Sequence, residues 1–113
     1  MRIKVGQIGY MTNKDLGINK TGGHYVYVRE VKGNKVDVNV ITSLEYLSGK
    51  WNTKRLNKVR KGYIYPIPKS HSTLPRWSAV SSNPKLNRNI KDIKPTKHKI
   101  KKRHRFFIGK FLK

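Results

Sequence analysis

HYVYVREVKGNKVDVNVITS, residues 24–43, is the one long run of clean strand chemistry in the chain. Val26 and Val28 alternate with Tyr25 and Tyr27, and Val36, Val38 and Val40 alternate with Asp37, Asn39 and Ile41. Period two is the pleat of a β-strand. Between the runs, Lys32-Gly33-Asn34-Lys35 supplies Gly and Asn, both of which accept the positive φ of a tight hairpin turn. The reading is an antiparallel hairpin turning at Gly33-Asn34. A hairpin also brings its ends together, so Lys20, Thr21 and His24 ahead of the first strand are expected near Thr42 and Ser43 after the second.

Outward from the hairpin the signals weaken. Residues 2–11, RIKVGQIGYM, read as a first strand with a bend or bulge at Gly6 and Gly9. Residues 12–23 are polar and glycine-rich without a hydrophobic period, which predicts a loop beside the hairpin mouth, where binding residues tend to sit. After Ser43, Leu44, Leu47 and Trp51 give a broken apolar pattern suited to a helical turn or a loop. Residues 63–68, YIYPIP, read as a strand whose Pro66 lacks an amide and so belongs at an edge or at the strand's end. Residues 69–84 are expected to be a second long loop. Leu86, Ile90 and Ile93 have the spacing of a short helix that Pro95 ends. A last helix capped by Thr96 would align Ile100, His104, Phe107 and Phe111.

These elements predict a mainly β (α+β) fold, a small SH3-like β-barrel with one or two short helices, one of them C-terminal. Residues 1–95 form the single barrel domain and 96–113 a basic helix packed on it or extending from it. Lys and Arg number 27 against 5 Asp and Glu, a net charge of +22 over 113 residues. That balance favours a polyanionic partner, nucleic acid first. The charge is uneven: residues 1–50 hold 8 basic and 4 acidic side chains, and 51–113 hold 19 basic ones and Asp92 alone. The second half is the electrostatic footprint. There is no cysteine, which excludes disulfides and thiolate zinc sites. No stretch reaches the ~18 apolar residues of a membrane span or looks like a signal peptide, so a cytoplasmic protein away from membranes is expected.

The order Val5-Gly6-Gln7-Ile8-Gly9-Tyr10, a polar glycine-containing loop, His24-Tyr25-Val26-Tyr27-Val28 and Val40-Ile41-Thr42-Ser43 resembles the PemK/MazF toxin family. The resemblance covers residues 5–43. It implies a small barrel acting as a ribosome-independent RNA endonuclease, usually a homodimer, neutralised by an acidic antitoxin. Two departures stand out: Gln7 replaces the usual acidic residue, and His24-Tyr25 replaces the usual Arg-Pro, so the family's catalytic arginine has no identical counterpart. Thr42 and Ser43 match the family's closing Thr-Ser.

RNA cleavage without metal needs a group that takes the 2′-hydroxyl proton, a donor for the leaving 5′-oxygen, and cationic support for the charged phosphorane. His24 suits proton transfer near neutral pH. Lys20 is the candidate charge stabiliser and Thr42 a hydrogen-bonding partner for a phosphate oxygen. The bland alternative makes His24 a residue opening a strand, Lys20 a solvated charge and Thr42 a turn-former. Ser43, Arg76 and Trp77 are candidate RNA contacts, Trp77 being first of all a plug under its loop. Lys99, Lys101, Lys102, Arg103 and Arg105 form the basic run expected to contact phosphates. His71, His98 and His104 are weaker candidates, the last two as extensions of that surface. No metal-ligand spacing occurs, Glu30 and Glu45 read as partners for nearby cations, and no cofactor is expected.

The leading expectation is therefore a metal-independent endoribonuclease of a type II toxin–antitoxin system that cuts single-stranded RNA. The alternative is a non-catalytic nucleic-acid-binding barrel, of the kind a mobile element encodes. A third reading, attachment to anionic membrane through the Phe-rich basic terminus, is also open.

Overall fold

The computed structural model describes residues 3–46 and 48–112. Leu47, read above with Leu44 and Trp51, lies outside them. The described residues are mainly β, a seven-stranded antiparallel sheet with three α-helices. In chain order the elements are β1 (Ile8–Thr12), α1 (Asn13–Leu16), β2 (Gly23–Lys32), β3 (Lys35–Ser43), α2 (Thr53–Arg60), β4 (Ile64–Ile67), β5 (Ser78–Ser81), β6 (Lys85–Asn89), β7 (Lys94–Pro95) and α3 (Lys102–Phe111). The sheet runs β4-β5-β3-β2-β1-β7, with β6 paired to β3.

The hairpin forms as the alternation dictates. Val26 lies opposite Val40 and Val28 opposite Val38, and Lys32 pairs with Lys35 around the two-residue turn. Gly33 takes a φ of +62° while Asn34 stays out of the positive region, so glycine supplies the strained corner at the first central position. A register shift lies between Val28 and Glu30. Both faces of the hairpin are covered, which explains why Val36–Ile41 is buried throughout. One face, with Val26, Val28, Val36, Val38 and Val40, packs on Met11, Leu16 of α1 and Ile93. The other, with Tyr27 and Ile41, packs on Ile67, Val80, Leu74, Ile100 and α3 through Ile108 and Leu112.

Several sequence expectations need correction. Residues 12–23 are not all loop: Thr12 Oγ1 accepts the Asp15 N–H at 3.3 Å and caps α1, whose Leu16 is fully buried. After Ser43, where a helical turn and a loop were both open, α2 forms at Thr53–Arg60, capped by the Asn52 side chain on the Arg55 N–H at 3.2 Å. Within 69–84 lies β5, sandwiched between β3 and β4; Ser78, Ala79 and Val80 are all buried, so no alternation was visible. Residues 85–89 are strand β6 rather than helix. Leu86 is 52% exposed, Asn87 has a φ of +54°, and the backbone satisfies the free edge of β3 from Lys35 to Val38. Pro66 sits on β4, an end of the sheet order, where a missing amide is tolerated.

The C-terminal helix starts later than expected. Thr96 does not cap it; its hydroxyl donates to the Ile8 carbonyl at 2.7 Å, and residue 100 bridges to Ser72 before α3 begins at Lys102. The buried stripe is His104, Ile108 and Leu112 at spacing four, while Phe107 is 52% exposed. Ile108→Ala should cost about 2–5 kcal/mol, because it empties a site with no solvent exposure beneath the sheet. A urea midpoint unchanged from wild type would show that α3 does not close the core.

Candidate active site

β1, β2, β3 and the N-terminus of α2 surround an open depression of about 650 Å³ at the hairpin's open end. Its lining includes Tyr10, His24, Tyr25, Thr42, Ser43, Arg55 and Arg76. The strands account for the convergence. His24 pairs with Met11 across β1–β2, and Thr42 and Ser43 end β3 against Ala79 and Ser78 of β5, two residues beyond Arg76.

His24 is held in one tautomer. Asn13, buried at the start of α1, donates its Nδ2 to the Thr21 carbonyl at 3.0 Å, which turns its Oδ1 toward His24 Nδ1 at 2.7 Å. Asn13 Oδ1 can only accept, so Nδ1 carries the proton and Nε2 keeps its lone pair. Burial, and secondarily the Arg55 charge, hold the His24 pKa below its ordinary 6.5, so the ring is neutral at pH 7. A neutral imidazole with a free Nε2 is a general base.

Arg55 was missed by sequence reasoning. It stands on the first turn of α2, its Nη1 donates to the Ser43 carbonyl at 2.6 Å, and its charge reaches His24. Asn52 followed by a basic run was the available signal for the cap, but nothing local said which cation would turn inward. Asn13 was missed for the same reason, although Thr12-Asn13-Lys14-Asp15 has a capping pattern. Gly23 is required by close approach: a Cβ there would collide with the Tyr10 hydroxyl and sit 2.6 Å from the Met11 carbonyl.

Lys20, by contrast, is exposed in the turn before β2 and is not part of the lining. Among the described residues Glu45 is not paired to a cation; its Oε1 accepts the Trp77 N–H at 3.0 Å. Trp77 is half-buried against Leu44, Ile64 and Ala79, edge-on to Trp51 at 5.6 Å, a packing position rather than part of the lining. No family model matches this chain, and no curated protein matches it.

The basic tail faces elsewhere. Lys101, Lys102 and Arg103 line a second hollow with His71, His104 and Phe107, whereas Lys99 and Arg105 line a groove beside β1. His104 Nε2 donates to the Pro66 carbonyl at 3.1 Å, so its Nδ1 accepts from His71 Nδ1 at 3.0 Å. Among the described residues, no three His, Asp or Glu side chains gather as a metal site.

Burial is the first cause of the lowered His104 pKa, with His71 adding to it and the Pro66 carbonyl opposing it. The unfolded chain then binds this proton more readily than the folded one. Stability from the neutral ring is complete above about pH 6.5 and declines as pH falls from there toward the lower folded value. His104→Gln should flatten that decline in urea unfolding series between pH 7 and 5; an unchanged slope would assign the decline to other groups.

Proposed function

We propose that this chain is a metal-independent endoribonuclease of the PemK/MazF-like toxin class, built on a small SH3-like barrel and cutting single-stranded RNA. The observation that carries the reading is a neutral His24, fixed by Asn13 with Nε2 free, sharing one depression with Arg55, Arg76, Thr42 and Ser43. His24 takes the 2′-hydroxyl proton, the 2′-oxygen attacks phosphorus, and the P–O5′ bond breaks to leave a cyclic phosphate. The 5′-oxygen departs with a proton from water, to which the depression is open. Arg55 takes the place of the family arginine as charge stabiliser, supported by Arg76. The barrel reading is supported by β3, which pairs with β2 on one side and with β5 and β6 on the other, and by the register shift in β2.

The charge supports the partners. Among the described residues the one ion pair is Lys32–Asp37 at 3.1 Å, which leaves the cations of the second half open to RNA or to an acidic antitoxin. Exposed Tyr46, Trp51 and Tyr63 offer apolar surface for a homodimer. No helix among the described residues is long and apolar enough to cross a membrane.

The test is incubation of the purified chain with single-stranded RNA in EDTA. Fragments ending in 2′,3′-cyclic phosphate and 5′-hydroxyl are expected. A folded, partner-free chain that binds RNA in a salt-sensitive way and cuts none would instead be a nucleic-acid-binding module.

A further inference from the structure

The groove beside β1 measures about 270 Å³ and is lined by Gly6, Gln7, Thr96, His98, Lys99 and Arg105 among others, with no acidic side chain in the lining. Arg105 is half-buried and its Nε has no hydrogen-bond partner among the described residues. Gly6, at a φ of +90°, lies against the Arg105 stem, where an added Cβ would stand 3.2 Å from Cδ. The close backbone helps to fix the side chain in the groove. A guanidinium partly withdrawn from water, with no carboxylate in the groove lining, carries a desolvation cost that a phosphate answers with charge-assisted hydrogen bonds. Lys99 adds a second cation from an exposed position.

The groove adjoins the His24 depression. Tyr25 lines the depression and His98 lines the groove, and the two rings meet edge-on at 4.9 Å. His98 Nδ1 donates to the Thr73 carbonyl at 3.2 Å, so its Nε2 accepts from the Tyr25 hydroxyl at 3.2 Å. This contact is a short bridge from one cationic concavity to the other.

We propose that the groove is a second phosphate subsite, holding a backbone phosphate of the same RNA strand whose scissile bond lies over His24 and reached across the Tyr25–His98 contact. The proposal rests on the RNA reading above. It makes strand length, rather than total charge, the quantity that Lys99 and Arg105 read.

The experiment measures binding of uncleavable 2′-O-methyl oligonucleotides, two and six nucleotides long, to the full chain. Lys99→Gln and Arg105→Gln should weaken the six-mer and lower its slope of log affinity against log salt by about 0.7 per contact removed, leaving the dinucleotide unchanged. The control is the double variant Lys14→Gln/Lys91→Gln, which removes two exposed charges lining neither concavity. The proposal is overturned if both oligonucleotides lose equally, if the control loses as much, or if inorganic phosphate binds wild type and Arg105→Gln alike and the six-mer is indifferent to both residues. Lys99→Gln alone decides should Arg105→Gln unfold. Wild type that cuts RNA while its six-mer binding ignores Lys99 and Arg105 sinks the subsite only. Wild type that binds no oligonucleotide sinks both readings.

Discussion

His24→Ala should lower RNA cleavage by about 10²- to 10⁴-fold while leaving salt-sensitive RNA binding close to wild type. Binding draws on cations spread over the surface, whereas proton transfer depends on one imidazole whose Nδ1 is held by Asn13 at 2.7 Å. The pH profile carries more information than the loss itself. The base form of His24 exists above its pKa, and burial together with Arg55 holds that pKa below 6.5. The rate should therefore climb with pH on the acid side, with the midpoint of the limb below pH 6.5. Asn13→Ala, which frees the ring to flip, should lower kcat more than it raises KM. Equal cleavage by wild type and His24→Ala in EDTA would remove His24 from the reaction.

Arg55→Ala should cost about 10²- to 10³-fold in kcat, the scale for losing one preorganised group that faces developing charge. It should also shift the acid limb upward, because the Arg55 charge contributes to lowering the His24 pKa. A residue that merely held the fold would not move that limb. Arg55→Lys keeps the charge but loses the planar fork that donates to the Ser43 carbonyl, so it should recover the limb more fully than the rate. Lys20→Ala, outside the lining, should cleave like wild type. If Lys20→Ala were the crippled variant and Arg55→Ala the silent one, the charge stabiliser would be misassigned.

Deleting the basic tail is a poor probe of its charge. Ile100, Ile108 and Leu112 are core residues against Ile8, Tyr27 and Ile41, so truncation at residue 96 removes the cover of one sheet face. Charge-neutralising substitutions at Lys101, Lys102 and Arg103, all exposed, separate phosphate contact from packing.

What the sequence by itself determined was local or additive. Alternation in 24–43 and Gly33-Asn34 set the hairpin and its register, because a one-residue slip would send Val26 and Val28 to the opposite face. Pro66 was legible as an edge or strand-end residue because a missing amide is a property of the residue alone, and the pairing of β4 chose the edge. The polyanionic preference is a sum of charges, and a sum needs no fold. Tertiary structure decided the rest. Leu86, Ile90 and Ile93 have a helical period, yet 85–89 is a strand because β3 had an edge whose backbone groups needed partners. β5 carries no period because it is buried between its neighbours. His24, Thr42 and Ser43 were foreseeable together, as the two ends of one hairpin. Arg55 and Arg76 joined them, and Lys20 did not, because the packing of α2 on β4 and the pairing of β5 with β3 chose which cations turned inward, and charge alone carries no direction.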